Sequence, residues 1–352
     1  MNGVRSHPTK LFAALILLML IIVELICFGL YKLNPGEMLD WRYYSSAFEH
    51  TSKSTLPFGW SSPDGLPRPS QAQYPTICAR AFGDSFTYGE EVYNPEQVWT
   101  SLASSELGCR IENYGVGGFG TDQALVLYES LPTNTPIVIL SIYSEMLRRN
   151  LAASWLFYAG QKDRALKPAF KLNHQGQAEQ ISWPSDASIN EHKKYHRHDL
   201  FFKSYDIKFP YFWHLSKSIF YQIKTRLENK GIFFDKHANT LPLQLALLDA
   251  FTAQVANRGS EMVLVFLPSI AELTNNDLSY RTQMNAYQAK HPKACVIDAA
   301  PALLEAMKKG IGVAAQSWHY NENGNAIVAS VVAKGIKACN ATKPLLKTVI
   351  GG

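Results

Sequence analysis

The segment Gly83-Asp84-Ser85-Phe86-Thr87-Tyr88-Gly89 places a serine just beyond a short apolar run at residues 77–82. A serine at a strand-to-helix turn, flanked by residues that permit a tight backbone, can present its hydroxyl and its amide to one reacting group. Such a residue suits nucleophilic attack and can also help to bind an oxyanion. Taken alone, the same residues describe a polar turn with Ser85 as a helix N-cap. Three further segments add weight to the chemical reading. Asn113-Tyr114-Gly115-Val116-Gly117-Gly118 supplies glycines where backbone N–H groups can point into a site. Tyr143-Ser144-Glu145 closes a third apolar run, and His319 lies on a loop before a closing helix, where it could serve as a base.

These residues need a scaffold that brings element ends together. Apolar runs at 77–82, 111–114, 137–143, 262–267 and 294–297 predict strands. Helical periodicity at 96–107, 122–130, 241–257, 281–290, 302–309 and 323–337 predicts helices between and after them. Strands alternating with helices of this length argue an α/β fold, a doubly wound parallel sheet covered on both faces. In such sheets ligands bind beyond the carboxyl ends of the strands. Ser85, Gly118 and Ser144 all follow predicted strands.

In these blocks and in their order the chain resembles the SGNH/GDSL hydrolase family. Gly83-Asp84-Ser85 matches the nucleophile block, Gly118 the glycine block and His319 the histidine of the last block. The resemblance covers residues 77–148 and 262–337 and implies a flavodoxin-like three-layer fold. It implies ester hydrolysis or acyl transfer, with Ser85 as nucleophile, His319 as base and the Ser85 and Gly118 amides as oxyanion donors. Two positions depart from the family pattern. Ser144 stands where the family has an asparagine that completes the oxyanion hole, and Gln316 stands where an aspartate precedes the histidine by three residues. Ser144 is then the expected third donor, and Glu145 and Asp298 are the candidate acids to orient His319. The implied substrate is an acyl ester, such as an acetyl ester of a cell-envelope glycan, handled without a cofactor. The alternative is a catalytically weakened domain of the same fold that binds acylated glycan or scaffolds an envelope assembly.

Composition agrees with a folded domain: 47% of the 352 residues are hydrophobic and 18% charged. A net charge of +5, without a dense basic stripe, argues against a nucleic-acid partner. The sequence leaves the oligomeric state open. Residues 11–31 form an apolar stretch long enough to span a bilayer, interrupted by Glu24. Arg5 and Lys10 precede it, which predicts a cytoplasmic tail at 1–10 and an extracytoplasmic remainder, in a bacterial periplasm or at the cell surface. Ile26-Cys27-Phe28-Gly29 offers no small-residue cleavage site, so the stretch reads as an uncleaved anchor. A Pro-rich stalk is expected at 32–75, the domain at 76–340 with an aromatic and helical insert at 150–240, and a tail at 341–352.

In the insert, His192 to His198 reads as a solvated basic loop; Glu191, His192, His196, His198 and Asp199 have types and spacings that could ligate a metal, but no helical i, i+4 pair comes with a matching third ligand downstream, so no metal is expected. Residues 209–214 and the helix expected after them read as a cap packing its aromatics inward, or else as a platform for sugar rings or a membrane surface. Five cysteines occur without a C-x-x-C pair. Cys78 and Cys295 lie in strand-like runs where free buried thiols are common, and the sequence assigns no disulfide.

Overall fold

Residues 137–142 carry apolar side chains to both faces of the backbone, and a strand of that kind needs cover on both sides. In the computed structural model, which describes residues 8–33, 56–70, 74–155, 166–183, 195, 199, 209–228, 240–277, 281–316 and 318–350, this segment is the central strand β3 (Ile137–Ile142). It pairs with β1 (Ile77–Gly83) on one side and β6 (Glu261–Phe266) on the other. β2 (Arg110–Gly115) and β7 (Cys295–Asp298) form the edges, giving the order β2-β1-β3-β6-β7 with every pair parallel. The winding direction reverses between β1 and β3, and the crevice above that reversal is where such sheets bind ligands.

Helices α3 (Trp99–Leu107), α10 (Ala300–Lys308) and α11 (Glu322–Ala338) cover one face, while α4 (Thr121–Ser130), α7 (Thr240–Asn257) and α9 (Arg281–Lys290) cover the other. Phe82, Tyr128, Phe251 and Phe266 fill the core between the sheet and its helices and are buried. Short helices α2 (Ser85–Tyr88), α5 (Glu145–Arg149) and α8 (Ile270–Asn275) follow β1, β3 and β6. The predicted strands and helices are present within a few residues. The helix expected at 96–107 starts late, because Asn94 caps a separate 3-10 turn at Pro95–Gln97 before α3 begins at Trp99. Residues expected as a tail form α12 (Thr342–Ile350), whose Leu346 is buried against the core.

The insert is partly built into this frame. Strands β4 (Phe170–Leu172) and β5 (Ala178–Gln180) form an antiparallel hairpin against α7. Lys167 is fully buried and its ammonium pairs with Asp122 of α4. Burial pushes Lys167 down and Asp122 up, and each partner's charge opposes the other's shift. The basic loop lies outside the described residues except for Tyr195, which is buried and donates to Lys167 O at 2.5 Å. Glu191, His192, His196 and His198 also lie outside them. Asp199, the described member of that group, accepts the Ala153 N–H at 2.7 Å.

Two disulfides supply the pairing that the sequence leaves open. Cys78 of β1 joins Cys109 beside β2, and Cys295 of β7 joins Cys339 after α11. Neither pairing can be read before the strand order is known, since the partners are 31 and 44 residues apart. Cross-links closing loops of this length stabilise a domain by about 2–4 kcal/mol each. Replacing Cys78 and Cys109 together by serine is expected to lower stability by an amount in that range. Denaturant titration without reductant measures it, and an unchanged midpoint would mean that the two sulfurs are not joined.

Candidate active site

β1 ends on Gly83, where a Cβ would overlap the side-chain oxygens of Thr87 and Ser141. The chain then turns: the Asp84 carboxylate accepts the Phe86 N–H at 3.1 Å, capping α2, and Ser85 opens that helix. Ser85 is buried beneath the surface of the crevice. After β2 the backbone folds over this turn. Val116 N–H donates to Gly83 O, Phe119 N–H donates to Val116 O, and between them Gly118 adopts φ +83°, a left-handed conformation that favours glycine. The amides that follow the two expected oxyanion donors, those of Phe86 and Phe119, are thus engaged, whereas the N–H groups of Ser85 and Gly118 donate to none of the described residues.

His319 is held by its loop. Ala314 and Tyr320 form an isolated antiparallel bridge, and Ala315 N–H donates to His319 O at 2.9 Å. Asn321 caps α11, and the Tyr320 hydroxyl donates to Pro268 O after β6. The imidazole packs on Phe86, the residue after Ser85, with ring centroids 5.1 Å apart. Its Nδ1 is buried without a hydrogen bond to any described residue, and the Glu91 carboxylate stands 3.8 Å away. Glu91 adopts φ +69°. A left-handed backbone costs a residue with a Cβ about 1–2 kcal/mol, and such outliers concentrate where a side chain must be aimed.

The candidate acids lie in other settings. Glu145 opens α5 and faces Arg148 at 3.7 Å. Asp298 ends edge strand β7, where it caps the Ala300 N–H and accepts from Arg281 at 3.1 Å. Ser144, expected as the third oxyanion donor, directs its hydroxyl to Glu272, which also accepts from the amide and hydroxyl of Ser269. Burial pushes the Glu272 carboxyl up, and these donors pull it back. Gln316 is exposed. The structure therefore packs His319 on the residue after Ser85, brings the Glu91 carboxylate to it, and folds the loop that carries Gly118 over Gly83. Sequence reasoning passed over Glu91 because it sits in the turn after α2, neither at a strand end nor next to His319. Glu90-Glu91 following Gly89 was the available signal.

A second residue missed in the sequence underlies the site. Arg149 of α5 is buried, and its Nη1 donates to Asp84 Oδ2 at 2.9 Å and to Phe119 O at 3.0 Å. Its Nη2 donates to the Tyr143 hydroxyl at 2.6 Å, and the guanidinium lies over the rings of Tyr143 and Trp155. One nitrogen thus ties the residue before Ser85 to the residue after Gly118. Burial pushes Asp84 up, while Arg149 and the Phe86 N–H hold it down. A serine on a tight turn, with an imidazole packed on the next residue and a carboxylate on the Nδ1 side of that imidazole, has the residue types that acyl transfer requires.

No protein-family model matches the chain, and neither does any curated protein sequence. Among solved structures, the chain is similar to a member of the lipolytic G-D-S-L family from Veillonella parvula, at 14% identity and a TM-score of 0.41, covering 73% of this chain and 97% of that one. It is also similar to an acetyl xylan esterase from Geobacillus stearothermophilus, at 12% identity and a TM-score of 0.40, covering 74% and 94%. A third is a two-domain esterase active on acetylated mannans, at 11% identity and a TM-score of 0.39, covering 76% and 50%.

Removing Arg149 would strand the buried Asp84 carboxylate beside Ser85. Breaking one partner of a buried pair costs about 3–5 kcal/mol. Arg149→Met is expected to lose that much stability in chemical denaturation, and Asp84→Asn with Arg149→Met should recover part of it. Additive losses in the double variant would argue against the coupling.

Proposed function

We propose that this chain is a serine ester hydrolase or O-acyltransferase acting on an acyl ester of a cell-envelope glycan. The observation that carries the reading is His319 packed against the nucleophile turn, with Glu91 behind its Nδ1 and two unengaged amides at Ser85 and Gly118. The Ser85 oxygen attacks the acyl carbon, and Nε2 of His319 takes the hydroxyl proton. The carbonyl oxygen becomes an oxyanion held by the Ser85 and Gly118 amides. As the tetrahedral intermediate collapses, the ester C–O bond breaks and His319 returns the proton to the departing sugar oxygen, leaving an acyl-serine. Water or an acceptor hydroxyl then gives its proton to His319 and attacks the acyl-serine; the bond from the acyl carbon to the Ser85 oxygen breaks, His319 returns the proton to that oxygen, and acid or a new ester is released. Glu91 orients the imidazole and stabilises its charged form, taking the role first sought in Glu145 and Asp298. Ser144 joins the oxyanion hole only by turning from Glu272.

The extracytoplasmic setting rests on two features. One helix, α1 (Pro8–Leu33), is long and apolar enough to cross a membrane and is almost wholly exposed. Basic residues precede it, favouring a cytoplasmic N-terminus. Both disulfides suit an oxidising compartment.

A fluorophosphonate probe is expected to label the protein at Ser85 and to leave Ser85→Ala unlabelled, with mass spectrometry locating the adduct. An unlabelled native protein would leave the alternative, a domain that binds acylated glycan without turnover.

Glu91 gives a sharper test, because its two proposed effects have opposite signs. Glu91→Gln is expected to reduce kcat on an acetyl ester by about 10²–10⁴-fold. Glu91→Gly should lose as much activity while matching or exceeding native stability, since it removes the left-handed strain. Normal turnover by either variant would remove Glu91 from the mechanism.

A further inference from the structure

Helix α6 (Tyr211–Glu228) is tied to α1 rather than to the sheet. The tie is chemical: the Glu24 carboxylate accepts the Tyr211 N–H at 2.7 Å and the Phe212 N–H at 3.3 Å, and the Phe28 and Tyr211 rings lie 5.1 Å apart. Glu24 is thus the N-terminal cap of α6, supplied by a residue 187 positions away. A carboxylate at a helix N-terminus satisfies otherwise unpaired N–H groups and complements the positive end of the helix dipole.

The position of that cap sets a depth. The apolar stretch runs Thr9–Leu30, and at 1.5 Å per residue Glu24 lies about 9 Å inside its distal end. An ionised carboxylate at that level is unfavourable on its own, and two backbone donors offset the loss of water. The rest of α6 agrees. Phe212, Trp213, Ile219 and Phe220 are exposed by between 46% and 69%, and these four lie within one third of the helical circumference, away from Tyr211 and its contact with α1, with exposed Phe209 just before the helix. Lys217 flanks the stripe, its ammonium 4.9 Å from the Trp213 ring. An aromatic stripe edged by a cation is the composition of a helix lying in the plane of a lipid interface. A large apolar surface left in water would be a liability, and this one continues the exposed apolar surface of α1.

We infer that α6 is a second membrane element, embedded by its aromatic stripe in the outer leaflet of the bilayer that α1 crosses and held at that depth by the Glu24 cap. The inference rests on the reading of α1 as an uncleaved anchor. It makes the domain sit on the membrane by two connected helices, which restricts rotation about α1 in a way that one span cannot.

The test uses the full chain in phosphatidylcholine–phosphatidylglycerol vesicles, with Cys27→Ser as background and single labelling sites at Phe220→Cys or Leu18→Cys. An environment-sensitive fluorophore at each site is read in vesicles made with lipids brominated at shallow or deep acyl positions. The label at 220 is expected to lose roughly half its emission to shallow bromines, and the label at 18 to be quenched better by deep ones. Adding Glu24→Ala should return the label at 220 towards its aqueous emission and leave the label at 18 unchanged. A label at 220 that is unquenched while the label at 18 is quenched would overturn the inference and leave the anchor standing. Labels unquenched at both sites would overturn the anchor and the inference with it. Quenching at 220 that survives Glu24→Ala would overturn the cap as the device that sets the depth.

Discussion

A guanidinium buried under the Asp84–Ser85 turn is an expensive group to place, and much of the candidate site's geometry follows from the partners it requires. Moving an ion of this size out of water costs several kcal/mol even after relaxation, so Arg149 needs an opposite charge and partners for its Nη donors, although its buried Nε finds none among the described residues. Asp84 supplies the opposite charge, Phe119 O and the Tyr143 hydroxyl take further N–H groups, and two aromatic faces cover the plane. Each partner belongs to a different piece of the crevice. Asp84 fixes the turn that presents Ser85, Phe119 closes the loop that presents Gly118, and Tyr143 ends the central strand. Shifting any of these segments would break a buried charge-assisted hydrogen bond, which is how a site made of loop ends acquires rigidity.

The same residue carries the constraint into the insert. Lys167 Nζ donates to Arg149 O and Ala152 O, both at 3.0 Å, and pairs with Asp122 at the start of α4. Tyr195 then holds Lys167 through its carbonyl. A chain of buried polar contacts therefore runs from the residue before Ser85 to the middle of residues 150–240. Such a web is stable only when its members are satisfied together. The described part of the insert is for that reason part of the site's support.

What could be read in the sequence, and what could not, divides along physical lines. β3 was legible because an apolar run without alternation has few other places to go. The placement of Ser85, Gly118 and His319 at or near element ends was legible because local sequence announces the turn. Glu91 was not, because its relevance depends on a left-handed backbone and on a loop 228 positions away meeting it in space. Arg149 is one of two adjacent arginines, and nothing local distinguishes it from Arg148, which stays near the surface. The cysteines show the same limit: Cys78 meets Cys109 because β1 and β2 are neighbours, a fact of topology. Glu24 read as a charge tolerated near a membrane surface, whereas the structure gives it two specific donors.

Ser144 and Gln316 depart from the pattern that the sequence resembles, and under the proposed function the energetics favour a rebuilt site over a decayed one. A site released from function should lose first the features that oppose stability. Three such features persist together. Glu91 keeps a left-handed backbone that a glycine would adopt at no steric cost. Arg149 and Asp84 keep a buried ion pair that well-packed apolar residues could replace without loss. The amides of Ser85 and Gly118 keep directions in which no described residue accepts from them, an arrangement unfavourable until an oxyanion arrives. Each has a use if an acyl group is transferred at Ser85 and none that helps the domain fold. If His319 is the base, Glu91 is the carboxylate that reaches its Nδ1 side, and it does so from the turn after Ser85 rather than from the histidine loop. Acid and nucleophile would then ride on one segment, and the histidine loop would be the element positioned against them.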